Sequence, residues 1–207
     1  MSSREVVLAR IRRALSGAGA PDPAEAPPAY LRTHSPADPT ALLAEHLAEY
    51  RARVHRTDAA GLPDTLARLL AARSARTVIA PPGVPDAWLP ATVRRVHDSA
   101  ALTAHDLDAV DSVVTGCAVA VAETGTLVLD GSADQGRRRI TLVPDHHICV
   151  VRVPEQVVDS VPQALERLDP ARPQTWISGP SATSDIELER VEGVHGPRAL
   201  DVVLVGS

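Results

Sequence analysis

The sequence predicts an α/β fold: a mostly parallel central sheet in three layers, preceded by an N-terminal helical extension. Three observations carry that expectation. The aliphatic runs at 118–122 and 200–205 are nearly unbroken, as strands covered on both faces require. Helical spacings alternate with several of the strand-like runs, the pattern of a sheet wound on both sides. Finally, 207 residues with no Phe and only 2% aromatics must build their core from Val, Leu, Ile and Ala. A chain of this length buries roughly 70% of its unfolded surface, so it needs no disulfide or metal staple.

Residues 3–15 read as a helix with Ser3 as cap and Val7, Leu8, Ile11 and Leu15 on one face. Six of the eighteen prolines then fall within 17–39, a density that resists helix and sheet alike. We therefore expect an N-terminal helix and linker over 1–39 and an α/β domain over 40–207. A second helix should start at Thr40 with Leu43, Leu47, Tyr50 and Val54 on its inner face. A third should start near Pro63 with Leu62, Leu66, Leu69 and Leu70 apolar. Strands are expected at 76–80, 92–96, 112–115, 118–122, 126–129, 147–153, 174–178 and 199–205, with a helix over 155–168. The connection Glu123-Thr124-Gly125 is too short for a parallel crossover, so 118–122 and 126–129 should form an antiparallel hairpin or one kinked strand.

All 21 basic residues are Arg, and the chain has neither Lys nor Asn. That excludes a P-loop lysine, a lysine Schiff base, an N-glycosylation site and an Asn-oriented catalytic His. Cys117 and Cys149 stand 32 positions apart with no CxxC, so an iron–sulfur cluster or structural zinc built from these cysteines is not expected. Two isolated thiols, no signal-peptide core and no run near 18 apolar residues point to a cytoplasmic protein without a membrane span. A formal net charge of −5 argues against non-specific nucleic-acid binding.

Three segments combine glycine with side chains able to do chemistry. In Ala122-Glu-Thr-Gly-Thr126, Glu123 follows an aliphatic strand with few charged neighbours, so burial could raise its pKa for base or nucleophile work. Thr124, Gly125 and Thr126 would present hydroxyls and backbone to a ligand. The second segment runs from Ser178 to Glu187. Gly179, Ser181, Thr183 and Asp185 could cradle an anion on backbone N–H groups without any Lys. The third runs from Glu192 to Arg198, where glycines bracket His195, a candidate for proton transfer, and Arg198 could grip a carboxylate or phosphate. His146 and His147 are neighbours on a strand and point to opposite faces, so they do not form a metal pair and no metal site is expected.

Taken in order, Ala122-Glu-Thr-Gly-Thr, Pro144-Asp-His-His-Ile, Ser178-Gly-Pro-Ser-Ala-Thr-Ser-Asp-Ile-Glu and Gly193-Val-His-Gly-Pro-Arg resemble the lactate utilization protein C family, the LUD domain, over roughly 40–205. The resemblance implies a fold like that of NagB, ribose-5-phosphate isomerase and the CoA transferases, shared with 5-formyltetrahydrofolate cyclo-ligase. It also implies a place beside iron–sulfur partner proteins in oxidising L-lactate to pyruvate, with no cofactor in this chain and a small anionic ligand at the loops. A second reading is a stand-alone transferase or isomerase in which Glu123 acts as base or nucleophile. The two part on geometry: the second needs Glu123, the 179–185 loop and His195 around one pocket.

Overall fold

The computed structural model describes residues 2–17, 31–33, 38–183, 191–192 and 195–206. The chain divides into two compact units, Met1–Tyr30 and Leu31–Ser207. Taken by itself, the first carries α1 (Ser3–Leu15). Its cap falls one residue before the expected Ser3. Ser2 Oγ accepts the Glu5 N–H at 3.3 Å while the Glu5 carboxylate accepts the Ser2 N–H at 2.6 Å, a closed capping box.

The second unit runs α2 (Pro39–Glu49), β1 (Arg53–Asp58), α3 (Leu62–Ala72), β2 (Thr77–Ala80), β3 (Arg94–His97), α4 (Ala104–Asp108), β4 (Ser112–Thr115), β5 (Val119–Val121), β6 (Thr126–Leu129), β7 (His146–Arg152), β8 (Val157–Val158), α5 (Val161–Arg167), β9 (Thr175–Ile177), β10 (Ala182–Thr183), β11 (Val191–Glu192) and β12 (Ala199–Gly206). Six strands form the central sheet in the order β1-β12-β7-β4-β2-β3, every neighbouring pair parallel. The expected α/β class with a parallel centre therefore holds.

Period-two alternation assigns each strand's side chains to two covering layers. Ile148, Val150 and Val203 face α3, meeting Leu62, Leu66 and Leu70 from successive turns. Cys149, Val151, Leu200, Val202 and Leu204 face the other way, onto α2 and the β5–β6 hairpin. Leu43 and Leu47 of α2 are fully buried there, each worth about 1.5–3 kcal/mol of apolar transfer. This second cover is only partly helical. It is a four-stranded sheet, β8-β5-β6-β9, with β5 and β6 antiparallel as one of the expected alternatives had it. Val119, Val121 and Val128 on its outer face pack against Ala164 of α5.

Three local expectations fail for identifiable reasons. The second helix stops at Glu49 because Arg51 adopts φ +70° and turns the chain, so Val54 belongs to β1. The helix expected over 155–168 is shorter, Val161–Arg167. Val157 and Val158 pair with β5 instead, and Pro162 is tolerated only in a first turn. Strand β1 was not expected at all. It is an edge strand reading Arg-Val-His-Arg-Thr-Asp with no fully buried residue, so it lacks the apolar signature of its neighbours. No helix among the described residues is long and apolar enough to cross a membrane.

Candidate functional site

A cavity of about 310 Å³ opens where the carboxyl end of β9 meets the amino ends of β7 and β12. Its floor is His147 and Leu200, the second residues of their strands, on the face turned toward β9. The walls are the segment 178–181, the turn 195–197, and the 3₁₀ helix Arg138–Thr141. This address differs from the open carboxyl edge where α/β ligands usually sit. Over β2 and β4 that edge is covered by the loop 131–136. The Gly83 and Gly116 N–H groups donate to the carbonyls of Ala133 and Asp134, both at 2.8 Å.

His147 is buried and shares a hydrogen bond between its Nε2 and Thr115 Oγ1, 2.8 Å. Burial, with the neighbouring His146 adding to it, pushes the imidazole down to about 3, so it is neutral at physiological pH. Ser181 Oγ accepts the His195 N–H at 2.9 Å, and the Ser181 N–H donates to the Pro197 carbonyl at 2.8 Å, so the two walls are tied together. Ser178 Oγ lies 2.8 Å from Thr126 Oγ1, which anchors the rim to the β5–β6 turn. Arg138, which is exposed and lines the cavity, has no carboxylate partner among the described residues.

The sequence-derived candidates divide accordingly. Gly179, Ser181 and His195 converge on the cavity. Glu123 does not line it: its Oε1 accepts the Val161 N–H at the start of α5, 3.0 Å. Thr124 and Thr126 hydrogen-bond each other at 2.7 Å inside the hairpin turn. Gly125 takes φ +57°, and a β-carbon there would lie 2.9 Å from the His46 carbonyl carbon, so the turn serves as a seat for α2. The same helix end approaches Gly179, φ +82°, where a β-carbon would meet the Tyr50 carbonyl oxygen at 2.6 Å. Arg198 forms a two-pronged pair with Asp145, 2.7 and 2.8 Å, outside the cavity lining. Thr183 belongs to β10, paired with β11, and Asp185 lies outside the described residues.

A second polar set lies on the opposite face of the same strands. Asp201 Oδ2 lies 2.7 Å from His146 Nε2, and His146 Nδ1 lies 2.8 Å from Ser112 Oγ. Asp201 Oδ1 meets His55 Nε2 at 2.7 Å and Arg53 Nε at 2.9 Å. Ser112, His146 and Asp201 are 0%, 2% and 0% exposed, so this row is not open to a substrate. It stitches β4, β7, β12 and the polar edge strand β1 together. Burial alone would raise the Asp201 carboxyl. Hydrogen bonds from His146, Arg53 and His55, with the Arg53 charge, outweigh it and hold the carboxyl well below the usual carboxylate range. An acid inside the aliphatic run Ala199-Leu-Asp-Val-Val was the available signal for this row.

The fold and site define an α/β protein that encloses a small polar cavity between a parallel sheet and a β-layer. The particular family follows from comparison: a LUD domain model matches residues 41–205, and the chain belongs to the LUD domain family. It is 49% identical over 166 residues to lactate utilization protein C of Deinococcus radiodurans, covering 78% of this chain and 77% of that protein. It is 28% identical over 202 residues to lactate utilization protein C of Bacillus subtilis, covering 86% of this chain and 82% of that protein. The crystal structure of a DUF162 family protein from Deinococcus radiodurans superposes with a TM-score of 0.71 at 40% identity. It covers 83% of this chain and all of that one.

Proposed function

We propose that this chain serves in lactate utilization by holding a small hydroxy or keto acid in the cavity beside His147. The observation that carries this reading is the convergence of Gly179, Ser181, His195 and His147 on one cavity of about 310 Å³, with Arg138 in its wall. That volume, at the low end of the range for small-molecule pockets, has room for a small organic acid. Arg138 can take the ligand carboxylate with two parallel N–H donors. The Ser181 hydroxyl, the His195 imidazole and the neutral His147 ring can position the hydroxyl or keto oxygen. Relatives named lactate utilization protein C support the pathway. Iron–sulfur partners that accept the electrons are part of the same proposal and rest on the family resemblance. The reading with Glu123 as base finds less support, since that carboxylate is turned to α5.

The test is titration calorimetry of the full chain with L-lactate and with pyruvate. We expect saturable binding of at least one, weakened about 10-fold or more in Arg138→Gln, the loss of a charge-assisted hydrogen bond. No saturable binding of either, or binding that Arg138→Gln leaves unchanged, contradicts the reading.

A further inference from the structure

A second cavity, of about 340 Å³, adjoins the first and shares Arg138, Thr141 and Thr175 as a common wall. Its lining includes Arg137, Arg138 and Arg172 and the single carboxylate of Asp130. That carboxylate is already engaged by Arg172 at 3.0 Å. Arg137 is engaged by Asp98, through Nε at 3.0 Å, and by the Ser99 carbonyl at 2.5 Å. Asp98 itself is not part of the lining. Two of the three arginines along this cavity are thus held by carboxylates, and the third, Arg138, has no carboxylate partner among the described residues.

The remaining wall is backbone. The loop after β6 curls back on itself, with Gly131 at φ +73° and Gly136 at φ +70°. It is pinned by the Asp130 N–H on Gln135 Oε1 at 2.6 Å and the Gly136 N–H on the Ser132 carbonyl at 2.9 Å. A β-carbon at Gly131 would meet only the Gly136 carbonyl oxygen, at 3.6 Å, so this wall is open to close approach. Pre-positioned guanidinium forks match an oxyanion with several acceptor oxygens and more than one negative charge.

We propose that this second cavity binds a phosphate-bearing ligand, and that it lays the phosphate against the hydroxy-acid cavity across Arg138. The position of the co-ligand beside the organic acid rests on the function proposed above; the anion site itself does not.

The experiment titrates pyrophosphate, and separately ADP, into the full chain and into Arg172→Gln and Arg172→Lys, with L-lactate as the parallel probe. We expect pyrophosphate affinity to fall about 10-fold or more in Arg172→Gln and to recover largely in Arg172→Lys, while L-lactate affinity is unchanged in both. Matching far-UV circular dichroism of the three proteins keeps misfolding apart from lost binding. ADP binding at least 10-fold tighter than pyrophosphate assigns the anion to a nucleotide, and equal or weaker binding assigns it to a free phosphate; either supports the site. Pyrophosphate binding that needs Arg172, in a chain that does not bind L-lactate or pyruvate, supports this inference and removes the preceding reading. L-lactate binding with no pyrophosphate or ADP binding, or phosphate affinity indifferent to Arg172→Gln, overturns this inference alone.

Discussion

Replacing Asp201 with alanine will lower the melting temperature by roughly 10 °C. The carboxylate is fully buried and receives His146, His55 and Arg53 from two other strands. Its removal leaves His146, itself buried, facing an empty position on that side. Breaking a buried ionic network by deleting one partner costs about 3–5 kcal/mol. For a chain of this size each kcal/mol is worth about 2–4 °C. Acid adds a second signature. The Asp201 carboxyl is held below its ordinary value, so the unfolded chain takes up the proton first as pH falls. The network's contribution is then complete above the unfolded value of about 3.9 and is lost as pH falls below it. The gap in stability between wild type and Asp201→Ala should accordingly be widest near neutrality and narrow progressively as pH falls below about 4. A variant that melts within about 2 °C of wild type at pH 7 contradicts the bracing role.

Gly125→Ala will destabilise the protein by about 2–5 kcal/mol. A left-handed residue with a β-carbon costs about 1–2 kcal/mol. The β-carbon also meets the backbone of α2, 2.9 Å from the His46 carbonyl carbon and 3.0 Å from the Leu47 nitrogen, neither of which can rotate away. Such overpacking adds about 1–3 kcal/mol. Gly131→Ala is the control: it has the same sign of φ, +73°, but its β-carbon would have room. Chemical denaturation should therefore show Gly125→Ala losing clearly more than Gly131→Ala. Equal losses would mean that α2 does not sit on this turn as described.

Much of the architecture was legible because buried strands advertise themselves. The runs at 112–115, 126–129 and 199–205 are aliphatic on both faces, and they became β4, β6 and β12. The opposite facing of His146 and His147 followed from strand periodicity alone, and the two do serve different faces. Strand β1 was hidden because its stability comes from a long-range partner: Arg53 and His55 look like solvated residues until Asp201 is seen beside them. At the candidate site, glycine and hydroxyl content singled out 179–181 and His195, which the structure places along the cavity. Arg138, which lines the cavity, sits in a run of three arginines that the sequence alone does not tell apart. Arg198, the cation expected there, is claimed by Asp145, 53 positions away in the chain. Gly125 was read for its freedom toward a ligand, whereas the structure places the α2 backbone against it.

The central claim, that this cavity serves lactate utilization, is tested most directly by growth on L-lactate as sole carbon source. A strain of the source organism lacking this chain should fail to grow. The wild-type gene should restore growth, and Arg138→Gln, at the same protein level, should not. Normal growth of the deletion strain on L-lactate, or full rescue by Arg138→Gln, would contradict the account.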